Sequence, residues 1–137
     1  MRRIFTFWLI LTTLGCYASN PQADSLKVVV QSLSEPADQI DIYRKIGRAY
    51  YNTQKQFDSA FYFAKIAYET ARQEGLIRQQ AQALFDHAAI YRAVGDLDKA
   101  LETYQETLLL AGGVRDGDPK AERLIAATLN NMGDIYL

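Results

Sequence analysis

The sequence predicts an all-α protein built from antiparallel helical hairpins stacked one on the next, and three observations carry that prediction. Apolar residues recur at helical spacing along nearly the whole body of the chain. β-Branched residues never alternate with polar ones over a useful length, so no sheet is expected. A short pattern also returns: Ile46-Gly47 with Tyr50, His87-Ala88 with Tyr91, and Met132-Gly133 with Tyr136.

The first 19 residues are set apart from that body. Arg2 and Arg3 precede an apolar run over 4–14, about the length of a signal-peptide core and too short to span a bilayer comfortably. Cys16-Tyr17-Ala18 offers small residues to a signal peptidase, while Gly15-Cys16 resembles the end of a bacterial lipobox, with Cys16 as the lipidated residue. Thr13 and Leu14 depart from the usual lipobox residues. Cleavage, lipidation at Cys16 and an uncleaved anchor all stay open. Cys16 is the sole cysteine, so no disulfide can form within one mature chain and packing must hold the fold.

Residues 20–36 read as a capping helix and linker. Leu26, Val29, Val30 and Leu33 share one stripe, Asp24 or Ser25 is available as the cap, and Ser34-Glu35-Pro36 ends the segment. The repeat array follows over 37–137. Its first unit, 37–75, sets Ile40, Tyr43, Ile46, Gly47 and Tyr50 on one helix and Ala60, Phe63, Ala64 and Ala67 on its partner. A polar turn, Thr53-Gln54-Lys55-Gln56, joins the two, and Gly75 supplies a left-handed stop. The second unit, 77–112, repeats this with Leu84, Ala88 and Tyr91, the turn Gly95-Asp96, then Ala100, Tyr104 and Leu108. Gly112 to Pro119 holds three glycines and a proline and reads as a surface loop. The third unit, 120–137, stops at Leu137, where its turn and second helix are due. Leu129, Met132 and Tyr136 are then left without their usual cover, so the chain reads as the N-terminal part of a longer protein.

These residues carry a resemblance to the tetratricopeptide repeat family, in which the helical pairs wind into a right-handed superhelix. The family pattern sets a small residue at the eighth position, a tyrosine three further on, and alanine at the twentieth. Gly47, Tyr50 and Ala60 match it if the first turn carries one additional residue. Ala88, Tyr91 and Ala100 match it directly, and Gly133 with Tyr136 match as far as the chain goes. His87 and Thr107 depart from it, and Ala64 stands where an aromatic is usual. The period is long: 41 residues separate Gly47 from Ala88 and 45 separate Ala88 from Gly133, against about 34 in the plain repeat. The resemblance implies that the small residues let paired helices approach closely, and that Tyr50 and Tyr91 fill the space between hairpins.

It also implies a function in binding, with the first helix of each pair lining a groove. The positions that face a ligand in the family fall here on Asp41, Arg44, Arg48, Tyr51 and Asn52, then on Gln82, Phe85, Ala89, Arg92 and Ala93. The third unit adds Ala127, Asn130, Asp134 and Leu137. A groove with Arg44, Arg48 and Arg92 beside Tyr51 and Phe85 suits an acidic or mixed peptide; the same arginines also read as solvated faces. The Lys and Asn clamp that one subclass uses for terminal carboxylates is absent.

Composition narrows the partner. Without the two leader arginines, 13 basic residues face 16 acidic ones, a net of −3. An acidic body argues against a general nucleic-acid surface. The expected partner is a protein or peptide, with membrane contact only through the leader, a lipid or a downstream segment. Catalysis has little to stand on. His87 is the only histidine and sits at a core position, no zinc or Cys-His site can be assembled, and Gly112-Gly113 lacks the Lys-Ser/Thr of a phosphate loop. No cofactor or metal is expected, and the oligomeric state is open. Leu129-Asn130-Asn131-Met132-Gly133 in an exported long-period array also resembles the sensor halves of membrane signalling proteins, where a histidine kinase or helix-turn-helix output follows. An envelope scaffold that assists complex assembly or nutrient uptake is the other reading.

Overall fold

The computed structural model describes residues 19–114 and 116–137. The leader, including Cys16, lies outside the described residues. Six α-helices and no strand occur among them: α1 (Pro21–Gln31), α2 (Pro36–Ala49), α3 (Phe57–Gln73), α4 (Ile77–Val94), α5 (Leu97–Gly112) and α6 (Pro119–Tyr136). Each helix packs on the next in sequence, and α2 also touches α4 as α4 touches α6. Helices α2, α4 and α6 therefore lie side by side, and a groove runs over the surface between them.

On α1 the sequence misplaces the cap and, of the predicted stripe, Val29; Val30 is buried and Leu26 packs on the core. Asn20, not Asp24 or Ser25, caps the helix: its Oδ1 accepts from the Ala23 N–H at 3.1 Å, and Pro21 follows with its φ already set for a first turn. The Asn20 Nδ2 donates to Thr53 Oγ1 at 2.9 Å, tying this start to the turn after α2. Ala23 and Val30 are buried while Val29 faces solvent.

The hairpin of α2 and α3 closes on small residues. Gly47 is buried in α2, and a Cβ placed there would meet the Ala60 carbonyl oxygen at 3.2 Å. Helix α3 turns a row of four alanines inward, Ala60, Ala64, Ala67 and Ala71, at spacings of four, three and four residues. One row cannot satisfy two neighbours with bulky side chains. Ile40 and Ile46 fill from α2, and Ile90 and Ala83 fill from α4.

One residue more separates Gly47 from Ala60 than separates Ala88 from Ala100. The structure accommodates it as a π-helical turn, Tyr50–Gln54, directly after α2. Lys55 then takes a left-handed conformation at φ 51°, and its N–H and that of Gln56 both return to the Tyr50 carbonyl. The widened turn is the physical form of the additional residue. Between α4 and α5 the shorter turn uses Gly95 at φ 85°, and Asp96 caps α5 by accepting from the Lys99 N–H at 3.3 Å.

Of the two recurring tyrosines of the complete hairpins, Tyr91 reaches the neighbouring hairpin, whereas Tyr50 packs within its own hairpin and against α1. The Tyr50 ring stacks on Phe63 at 5.8 Å, and its hydroxyl accepts from Lys27 Nζ of α1. Tyr91 lies against Phe61 of the preceding hairpin, with ring centroids 4.9 Å apart. Tyr104 is fully buried between α4 and α6, touching Phe85 and accepting a hydrogen bond from Asn131 Nδ2 at 3.1 Å.

Helix α6 begins at Asp118, whose carboxylate accepts from the N–H groups of Lys120 and Ala121. It buries Ala121, Leu124 and Thr128 on one side. The opposite side is open, with Leu129 at 55% and Tyr136 at 70% exposure and nothing within 4 Å of a Cβ at Gly133. Met132 is the exception to the predicted lack of cover, since it packs against the cluster around Tyr104. The predicted loop is shorter at both ends, with Gly112 closing α5 and Pro119 opening α6.

Candidate functional site

A cavity of about 290 Å³ opens between α2, the π-helical turn, α3 and α4. Its wall combines Arg44, Arg48, Tyr51 and Asn52 with Phe85, Asp86, Ala89 and Ile90, over a floor of Gly47, Ala60 and Ala64. The floor is deep because those three residues are small. Gly and Ala at the helix crossing thus do two things: they bring α2 and α3 together and leave room above them.

Six of the fourteen positions expected from sequence to face a ligand meet here: Arg44, Arg48, Tyr51, Asn52, Phe85 and Ala89. Arg92 and Asn130 do not line this cavity. Arg92 lies further along α4, with Nη1 3.5 Å from Asp134 Oδ2 on α6, and Asn130 is exposed on α6.

The arginines are engaged with the protein itself. Arg44 is only 9% exposed; its Nε donates to Asp86 Oδ2 at 2.8 Å and its Nη1 to Gln82 Oε1 at 2.9 Å. Arg48, one turn on, donates from Nε to the other carboxylate oxygen at 2.9 Å, with Nη2 ion-paired to the same atom at 2.8 Å. Asp86 therefore holds two guanidinium groups, one on each oxygen. Such charge-assisted bonds are short and directional. They fix both arginines as part of the wall, yet the Arg48 side chain stays 49% exposed and presents its outer edge to the groove.

Asp86 was not identified from sequence. Its signal was present in Arg44 and Arg48, which stand four residues apart on one helical face. A buried Arg44 calls for a carboxylate on the neighbouring helix, and the one that answers it, 42 residues away, also takes the more exposed Arg48, 38 residues away.

Aromatic rings finish the mouth of the cavity. Tyr51 packs against Phe57 at 6.0 Å with Lys55 Nζ over its face at 4.9 Å, so the ring is held from two sides. Phe85 rests on Tyr104 at 5.7 Å, which burial pushes above the usual phenol range.

His87 lies apart from this cavity. Its ring sits between Phe61 and Tyr68, 6.0 and 6.2 Å away, and burial lowers its pKa despite the opposing pull of Asp86. Among the described residues no three of His, Cys, Asp or Glu gather in a way that could hold a metal ion, and no helix is long and apolar enough to cross a membrane. Comparison with protein families, with curated proteins and with solved structures finds no match to this chain.

Proposed function

We propose that the chain is a non-catalytic binding module of tetratricopeptide type, which holds an extended peptide segment of a partner protein in the groove between α2 and α4. The carrying observation is the cavity itself. It sets Tyr51, Phe85, Ala89 and Ile90 beside the fixed guanidinium of Arg48 and the amide of Asn52. Apolar walls with a few placed polar groups are what a side-chain pocket requires. Repeating helical pairs with Gly47 against Ala60, and Ala88 buried with Ala100, support the family reading. The leader-like run over 4–14 supports export, and with it a role as an extracytoplasmic sensor or scaffold.

The test is selection from a random-peptide display library against the chain and its Ala89→Phe variant. Ala89 lines the cavity and is half-buried, so a ring there fills the pocket while leaving the helix crossing intact. Enriched peptides should bind the parent and lose binding to a variant whose circular dichroism is unchanged. Equal binding to both proteins would sink the proposal.

A further inference from the structure

A second cavity, of about 180 Å³, adjoins the first and shares Arg44 and Arg48 with it. Its other walls are Asp41, Lys45, Arg78, Gln79, Gln82 and Lys120. Each of the three helices α2, α4 and α6 therefore sends at least one cation to this place: Lys45, Arg78 and Lys120. Sequence gives no hint of the cluster, since these residues lie 33 and 42 positions apart.

We infer that this cavity receives an acidic side chain of the bound peptide, next to an apolar side chain seated at Tyr51 and Phe85. The inference rests on the groove reading above and specifies what the groove selects. Two observations carry it. The five cations lining the cavity meet three carboxylates, those of Asp41, Asp86 and Asp118, which leaves an excess of two positive charges within a body that is otherwise acidic. Lys45 and Lys120 are exposed and have no ion-pair partner among the described residues. Arg78 donates from Nη1 to Asp118 Oδ2 at 2.9 Å, so the unneutralised charge of the cavity lies on the two lysines.

Continuity fixes the kind of occupant. Because Arg44 and Arg48 stand on the boundary of both cavities, a ligand that fills both is a chain with two neighbouring side chains of different character. An extended peptide with an apolar residue followed or preceded by Asp or Glu has that form. A small free anion would use the cationic cavity alone and leave the aromatic one empty.

The experiment runs the same random-peptide display selection on the full chain and on a Lys45→Glu/Lys120→Glu variant, with fluorescence polarisation of the enriched peptides at low and high salt. Both lysines are exposed, so the variant keeps the fold, which circular dichroism verifies. Peptides enriched on the parent should place Asp or Glu within two residues of an apolar side chain, bind the variant about tenfold more weakly, and weaken with added salt. Enrichment of apolar peptides with no acidic preference, or equal affinity for parent and variant, overturns the inference and leaves the groove reading standing. Binding that survives in the Ala89→Phe variant but is lost in the lysine variant overturns the paired-cavity inference in favour of an anion site alone. No enrichment on any of the proteins overturns both.

Discussion

Arg44 Nε and Asp86 Oδ2 lie 2.8 Å apart where both residues are buried, and this bond joins the first hairpin to the second. Removing one partner leaves a charge in a place where water reaches poorly. Asp86→Ala should therefore cost about 3 to 5 kcal/mol in urea denaturation. An Arg44→Met/Asp86→Leu double replacement should recover most of that loss, because neither charge is then stranded. A double variant as unstable as Asp86→Ala alone would show that the carboxylate acts through Arg48 instead.

The two motif glycines give opposite expectations. Gly47 meets the Ala60 backbone, so Gly47→Leu overpacks a helix crossing and should cost on the order of 1 to 3 kcal/mol. Gly133 occupies the equivalent position on α6, but a Cβ there meets nothing within 4 Å. In this chain Gly133→Ala should stabilise by about 0.5 to 1 kcal/mol through helix propensity alone. Thermal melts of the two variants, compared with the parent, check both signs.

The helical composition and the helix-crossing residues were legible in the sequence because their cause is local: apolar spacing, small residues at fixed offsets, and glycine at turns. Gly75 and Gly95 do adopt the left-handed conformation that ends their helices. What escaped was set by distant partners. Asn20 bonds to Thr53, 33 residues away, and the fixed state of Arg44 and Arg48 follows from Asp86 on another hairpin. The cationic cavity is equally non-local. Its three helices align Lys45, Arg78 and Lys120 only once the stack has formed.

His87 should make stability depend on pH. Burial among Phe61 and Tyr68 lowers its folded pKa below the unfolded value, so the folded chain binds fewer protons. Its contribution is fully present above about pH 6.5 and is lost as pH falls toward the folded pKa. His87→Leu should flatten this acid-side decline in melting temperature. An unchanged slope in the variant would assign the decline to other groups.

Lys55 is the one non-glycine among the described residues with a positive φ. A lysine in that conformation carries a strain of about 1 kcal/mol, which glycine relieves at some cost in chain entropy. Lys55→Gly should therefore raise the urea midpoint slightly, while removing the cation above Tyr51. Lys55→Val should lower it, since a β-branched residue fits that conformation poorly.

The π-helical turn after α2 also bears on how such a chain tolerates change. A single-codon insertion in the middle of a helix would normally rotate every later residue by about 100° and turn Ala60 away from Gly47. Here the odd residue is spent in one wide loop of backbone, and the alanine row of α3 keeps its aim. The hairpin end thus works as an expansion joint. Lineages could gain or lose a residue there, and so reposition Tyr51 and Asn52 at the groove mouth, without renegotiating the contacts that hold the helices together.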